Sequence, residues 1–220
     1  MGDDEHELEI KRSSSLLIVD DHPLFRDALA AAASLNPNIR STYFAGSVLE
    51  ACECLKSSLP DLVLLDLNLK DTTGLESLIT LQAQVPSQRV AIVTATEDRE
   101  IIERAMALGA VGYIPKSLDM NSLKGAISDL LSGENWTPPE FQQAIEPSPA
   151  SEIASRLASL TPAQRRVLSG LKSGLLNKQI AYEMGISEAT VKAHMTAIFR
   201  KLGVASRTQA LLSLQAVVAI

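Results

Sequence analysis

The chain has 220 residues, 46% of them hydrophobic and 21% charged, with a formal net charge of -6; that length suits two compact domains of roughly 125 and 65 residues. The charge is unevenly divided. From Ile153 onward Arg156, Arg165, Arg166, Lys172, Lys178, Lys192, Arg200, Lys201 and Arg207 stand against Glu183 and Glu188, giving +7 there and leaving -13 for residues 1 to 152, so only the second part suits a polyanion. The start, Met1 to Glu9, is acidic and lacks the basic-then-apolar order of a signal peptide, and no apolar run approaches membrane-spanning length; the expectation is a cytoplasmic protein with no membrane partner.

After an acidic tail (1 to 13), apolar runs of strand length alternate with helical patterns. Strands are expected near 16 to 20, 39 to 45, 62 to 67, 90 to 95 and 111 to 115, and helices near 23 to 35, 47 to 57, 74 to 84, 98 to 109 and 119 to 132. Runs that are apolar on both faces, separated by amphipathic helices, imply parallel strands covered on both sides. Five such units make a doubly wound α/β sheet, whose ligands bind at the carboxyl ends of the strands. Cys52 and Cys54, two apart in an expected helix, point in different directions and read as structural.

From 133 to 159 Pro138, Pro139, Pro147 and Pro149 lie among Ser, Glu and Gln, which reads as an exposed linker. Beyond it everything from Thr161 looks helical. Thr161-Pro162-Ala163-Gln164 spells a capping box with proline at the first helical position. Asn177 to Gly185 and Ser187 to Leu202 read as two helices joined by a turn at Gly185-Ile186, with Ser187 as N-cap. This is helix-turn-helix spacing with the second helix as reader.

Four of the strands end on chemistry-bearing residues: Asp20 and Asp21, Asp66, Thr94, and Lys116. In one parallel sheet these side chains meet in a single pocket. A carboxylate can attack a phosphoryl group and store it as an acyl phosphate, and Asp66 is the expected acceptor. Repulsion between the anions calls for a divalent cation, and Asp20, Asp21, Asp66 and the backbone carbonyl of Asn68 offer the hard oxygen ligands that suit Mg²⁺. Lys116 supplies a compact positive charge for the transferred oxygens and Thr94 a hydroxyl donor. His22, following the acidic pair with no second ligand at metal spacing, reads as loop structure.

Residues 14 to 132 resemble the receiver domain of a two-component response regulator, on Val19-Asp20-Asp21-His22-Pro23, on Asp66 within Asp61 to Leu69, on Gly74-Leu75, on Thr94-Ala95 and on Gly112-Tyr113-Ile114-Pro115-Lys116. The resemblance implies a flavodoxin-like fold and a sensor histidine kinase that phosphorylates Asp66. It also implies a switch in which the Thr94 hydroxyl moves toward the phosphoryl oxygens and the Tyr113 ring turns inward behind it. One departure is Lys70, where this family often has proline; it is expected to alter the loop beside Asp66 and the phosphate lifetime, not the chemistry.

In the second reader helix Val191, Met195, Ile198 and Leu202 form a core-facing stripe. The opposite face carries Ala189, Ala193, Thr196 and Arg200, flanked by Thr190, Lys192 and His194. Small residues there permit close approach to the major groove of double-stranded DNA, while Lys192 and Thr196 reach base edges or phosphates. Lys178 is placed to touch a phosphate. Leu160-Thr161-Pro162, Gly174 to Ala181, Ile186 to His194 and Arg200 to Val204 resemble the LuxR-type DNA-binding domain. A glutamate common in that family is here Gln164, which keeps the cap. The last helix, 206 to 218, carries Ala210, Leu211, Leu214 and Val218 on one side; in that family it dimerises, and packing on the receiver is an equal alternative.

The order of the two parts is similar to that of NarL/FixJ-type response regulators, which implies a receiver (14 to 132), a linker (133 to 159) and a smaller all-α domain (160 to 220). The implied protein is a transcription factor, not an enzyme, that forms homodimers when phosphorylated. Phosphorylation would free the recognition helix from the receiver or favour those dimers. Two rivals remain. A receiver regulated by a protein partner without phosphate would tend to lose the acids or Lys116. A phosphohydrolase using an aspartyl phosphate would carry a second acid two residues after the nucleophile, where this chain has Asn68.

Overall fold

The computed structural model describes residues 13–72, 74–141 and 148–218; the acidic tail expected before residue 13 lies outside them. Five parallel strands, β1 (Ser14–Val19), β2 (Ile39–Ala45), β3 (Leu62–Leu65), β4 (Val90–Thr94) and β5 (Gly112–Pro115), form one sheet in the order β2-β1-β3-β4-β5. The connecting helices are α1 (Pro23–Ser34), α2 (Val48–Ser57), α3 (Glu76–Gln84), α4 (Arg99–Ala107) and α5 (Met120–Leu131).

Alternation along each strand feeds two cores. Leu16 and Ile18 face α1 and α5 with Leu29, Leu123 and Ile127, whereas Leu17 and Val19 face the α2–α4 side with Leu55, Leu78 and Ile102. All are essentially sealed from water, and each such side chain contributes about 1.5–3 kcal/mol by its burial. The helix starts follow from side-chain caps. Ser47 accepts from Glu50 N at 3.1 Å, Asp98 from Glu100 N at 2.8 Å, and Asp119 from Asn121 N at 2.8 Å and Ser122 N at 3.1 Å.

The stretch read as linker contains more order than its prolines suggested. A 3-10 turn spans Pro139–Phe141, and a full helix, α6, spans Pro149–Ala158. Ser148 caps α6 and Pro149 occupies its first turn, so a proline that looked like a loop marker is a helix opener. Ala154 and Leu157 of α6 are buried.

The remaining helices are α7 (Pro162–Lys172), α8 (Asn177–Met184), α9 (Glu188–Leu202) and α10 (Arg207–Val218). The Thr161–Gln164 capping box forms in full. Gly185 ends α8 at φ 65°, a left-handed turn that glycine adopts without strain, and Ser187 then caps α9.

The two parts share one apolar cluster, with α6 packed on α4 and α7 on α3. Polar contacts ring it. Lys172 pairs with Glu76, Arg165 Nη1 donates to Gln82 Oε1 at 3.0 Å, and Leu75 N donates to Val218 O at 3.3 Å. Ala210, Leu214 and Val217 of α10 are buried, and the helix packs on α6, α7 and α9. Its last turn also meets the sheet-bearing part, through Leu75 and Arg104.

Candidate functional site

The polar residues after the strands continue the sheet ladder, and that sets their geometry. Asp20 N donates to Ala45 O at 3.0 Å, Asp66 N to Val19 O at 2.9 Å, and Lys116 N to Thr94 O at 2.8 Å. The ends of β2, β1 and β3 are therefore level with one another, and the ends of β4 and β5 with each other. Lys116 Nζ lies 2.7 Å from Asp20 Oδ2 and 2.7 Å from Asp66 Oδ2. Both carboxylates are 1% exposed, so the ammonium compensates two charges that could not otherwise be buried together.

The remaining oxygens are held locally. Asp66 Oδ1 accepts from Asn68 N at 3.2 Å, and Asp20 Oδ1 accepts from His22 N at 2.8 Å. Lys116 also lies 4.5 Å from the centroid of the Phe25 ring, a cation–π contact that limits its swing. His22, Phe25, Asn68 and Ala95 line the pocket with Asp66 and Lys116.

Asp20, Asp21, His22 and Asp66 bring their ligand atoms within 4.8 Å of one another. The Asp21 side chain is 6% exposed and its oxygens make no hydrogen bond, met only by the exposed His22 Nδ1 at 2.9 Å and Lys70 Nζ at 3.3 Å. A buried carboxylate in that state is expensive, and a hard divalent cation satisfies it. The donor set fits Mg²⁺.

Thr94 is fully buried at the end of β4, and its hydroxyl accepts from Thr96 N at 3.3 Å. Tyr113 on β5 is also fully buried, and its hydroxyl donates to Thr96 O at 2.7 Å. Burial, followed by the neighbouring Asp98 and Glu97, pushes the phenol well above its ordinary range, so it stays a donor. Thr94 and Tyr113 thus meet the same residue, Thr96, from two sides.

On α9 the expected core stripe is buried, with Val191 and Ile198 at 0% and Met195 partly covered. Ala189, Thr190, Lys192, Ala193, Thr196 and Arg200 are exposed, as is Lys178 on α8, and His194 is half-buried. Lys192 pairs with Glu188 at 3.3 Å and Thr196 Oγ1 donates to Lys192 O at 3.1 Å. The sheet-bearing part packs on α6, α7 and the end of α10 and leaves this face of α9 exposed. Release of α9 from a covering domain, one of the two effects expected of phosphorylation, does not start from this arrangement, in which that face is exposed.

Two partners of the pocket were not foreseen. Phe25 sits in the first turn of α1, where nothing local signals a cation 91 positions away in sequence. Lys70 was seen only as a departure, and its ammonium lies 3.3 Å from Asp21 Oδ2.

Residues 16–128 match the family described as the response regulator receiver domain, and residues 158–214 match the bacterial regulatory proteins of the luxR family. The chain is 39% identical over 213 residues to a glycerol metabolism activator of Pseudomonas putida, covering 90% of this chain and 93% of that protein. It is 31% identical over 204 residues to the nitrate/nitrite response regulator protein NarL of Escherichia coli, with the same coverage. It is 33% identical over 197 residues to the DNA-binding transcriptional activator DevR/DosR of Mycobacterium tuberculosis, covering 89% and 91%. Among solved structures, RcsB of Salmonella enterica serovar Typhimurium, bound to a promoter with the phosphomimetic BeF3-, matches 94% of this chain and 100% of that chain at 20% identity and a TM-score of 0.57, a likeness of fold. A LuxR-family response regulator from Aurantimonas matches 60% of this chain and 94% of that one at 27% identity and a TM-score of 0.55.

Proposed function

The chain belongs to the bacterial response regulators that join a receiver domain to a LuxR-family DNA-binding domain, and from that premise we propose that Asp66 is its phosphoacceptor and the α9 face its DNA reader. The observation that carries the proposal is Lys116 bridging Asp20 and Asp66 at 2.7 Å at the strand ends. A sensor histidine kinase supplies the phosphoryl group. An Asp66 oxygen attacks phosphorus, the bond to the kinase imidazole breaks, and an acyl phosphate remains.

Mg²⁺, held by Asp20, Asp21, Asp66 and the backbone carbonyl of Asn68, would lower the repulsion between the acceptor and the incoming group. Lys116 turns its ammonium from the Asp66 carboxylate to the phosphoryl oxygens, with the Phe25 ring behind it. Thr94 donates its hydroxyl to the same oxygens. That movement releases its contact with Thr96, the residue whose carbonyl holds the Tyr113 hydroxyl, and so reaches the start of α4.

α4 carries Arg104, whose Nη1 donates to the carbonyls of Ala216 and Val217. The controlled step is release of the α10 end and of the α6–α7 face, followed by homodimerisation on DNA. With the reading face open in the docked arrangement, dimer formation rather than unmasking carries the switch. Lys178, Thr190, Lys192, Ala193, His194, Thr196 and Arg200 make up the DNA surface. The domains divide as a receiver (14 to 132) and an output domain (160 to 220), with α6 of the intervening segment joining the second.

No helix among the described residues is long and apolar enough to cross a membrane, and a cytoplasmic regulator rather than a turnover enzyme fits the two matched families. The test is labelling with a small phosphodonor and Mg²⁺. Intact mass should rise by one hydroxylamine-labile phosphoryl group in the wild type and stay unchanged in Asp66→Asn. Persistent labelling of that variant would defeat the assignment.

A further inference from the structure

Asp21 differs from its neighbours in how its charge is met. Asp20 and Asp66 each accept a backbone N–H and share the Lys116 ammonium. Asp21 makes no hydrogen bond although its side chain is 6% exposed. What stands on it are two groups approaching from the solvent side: His22 Nδ1, 2.9 Å from Oδ1, and Lys70 Nζ, 3.3 Å from Oδ2.

The backbone beside Lys70 is anchored. The next residue, Asp71, accepts from Val48 N at 2.9 Å and Leu49 N at 3.4 Å, fastening the loop after β3 to the first turn of α2. The Lys70 stem itself is 86% exposed. Its root is thus fixed near the acidic pocket while its head is free to turn into solvent.

We propose that Lys70 is a built-in competitor of the divalent cation at Asp21, a positioning residue that lowers the affinity of the acidic set for Mg²⁺. The inference rests on reading Asp20, Asp21 and Asp66 as the Mg²⁺ site. A monovalent ammonium a few ångströms from a carboxylate repels a dication seeking the same oxygens, and the cation binds fully only when Lys70 swings out. Solvent screening and the free stem make the effect a modest one. A residue without charge at this position removes it. The acceptor chemistry is untouched, but with Lys70 present the Mg²⁺ concentration at which Asp66 becomes reactive is higher than with an uncharged residue there.

Calorimetric titration of the full chain, freed of divalent ions, with Mg²⁺ tests the proposal, and Mn²⁺ binding followed by electron paramagnetic resonance gives a second readout independent of phosphorylation. Lys70→Ala should bind Mg²⁺ about two- to fivefold more tightly than wild type, the range set by a screened surface charge. Lys70→Arg should match wild type, added KCl should shrink the difference, and an Asp21→Asn background should erase it. Unchanged or weaker binding by Lys70→Ala, with binding still lost in Asp20→Asn, overturns the role of Lys70 and leaves the metal site standing. No Mg²⁺ binding by wild type overturns both.

Discussion

The backbone amide of Tyr113 donates to the carbonyl of Trp136 at 2.9 Å, and the Trp136 amide donates in turn to Val111 O at 3.1 Å. The segment after α5 is thereby zipped to the free edge of β5, where Gly112 makes the approach possible. A Cβ on Gly112 would lie 3.1 Å from the Trp136 carbonyl and 2.8 Å from Leu130. Tyr113 and the start of the connector are one hydrogen bond apart.

That relationship supplies an intrinsic probe, because Trp136 is the only tryptophan. Adding BeF3- and Mg²⁺ should change its emission in the wild type and leave it unchanged in Asp66→Asn. Gly112→Ala should shift the emission before any phosphomimetic is added, since the connector must lift. A wild-type spectrum indifferent to BeF3- would show that Tyr113 does not pull on this edge.

Arg104 ties α4 to the last turn of α10 through the carbonyls of Ala216 at 3.0 Å and Val217 at 3.1 Å. Hydrogen bonds from a charged donor are worth about 1.5–3 kcal/mol, so Arg104→Ala should shift the docking equilibrium by about tenfold or more. Small-angle scattering should report a larger radius of gyration without phosphorylation, and sedimentation a larger dimer fraction. A compact monomer in both assays would exclude α4 as the clasp.

An exposed and a buried face separate on α9. Ile198 is fully buried, and Ile198→Ala should cost about 2–5 kcal/mol of stability, read as an earlier melt of the helical part. Lys192→Ala, on the exposed side, should leave the melt in place. Its DNA affinity should fall and the salt slope of binding drop by about one.

Asp119 caps α5, and its hydrogen bonds from Ser122 and Asn121 hold the carboxyl below its ordinary range. A lowered native value means that the stabilisation is complete above the unfolded carboxylate pKa of about 4 and disappears as pH falls through the native one. Asp119→Asn, which caps without titrating, should flatten the acid side of a melting-temperature profile below about pH 4. An unchanged acid slope would show that other carboxylates dominate it.

How much of this was legible depended on range. The strands were readable because Leu16 to Val19 and Leu62 to Leu65 are continuous apolar runs, and the polar residues that follow them are local in sequence. The caps at Thr161 and Ser187 were likewise local. α6 was missed because Ser148 and Pro149 look the same in a loop and at a helix start until burial of Ala154 and Leu157 decides between them. Lys70 over Asp21, Phe25 under Lys116 and Arg104 on Val217 join distant segments, and no local pattern encodes them. The exposure of the α9 face depends on which surface of the helical part meets α3 and α4, a matter of shape rather than periodicity.

The central claim, that the phosphoryl state of Asp66 governs DNA binding, is tested most directly by fluorescence anisotropy of the full chain on DNA bearing its selected binding sequence, with and without BeF3- and Mg²⁺. The account predicts tighter binding by a dimer with the phosphomimetic for the wild type and no response for Asp66→Asn. Equal affinity of the wild type in both states would contradict it and favour a receiver governed by a protein partner instead.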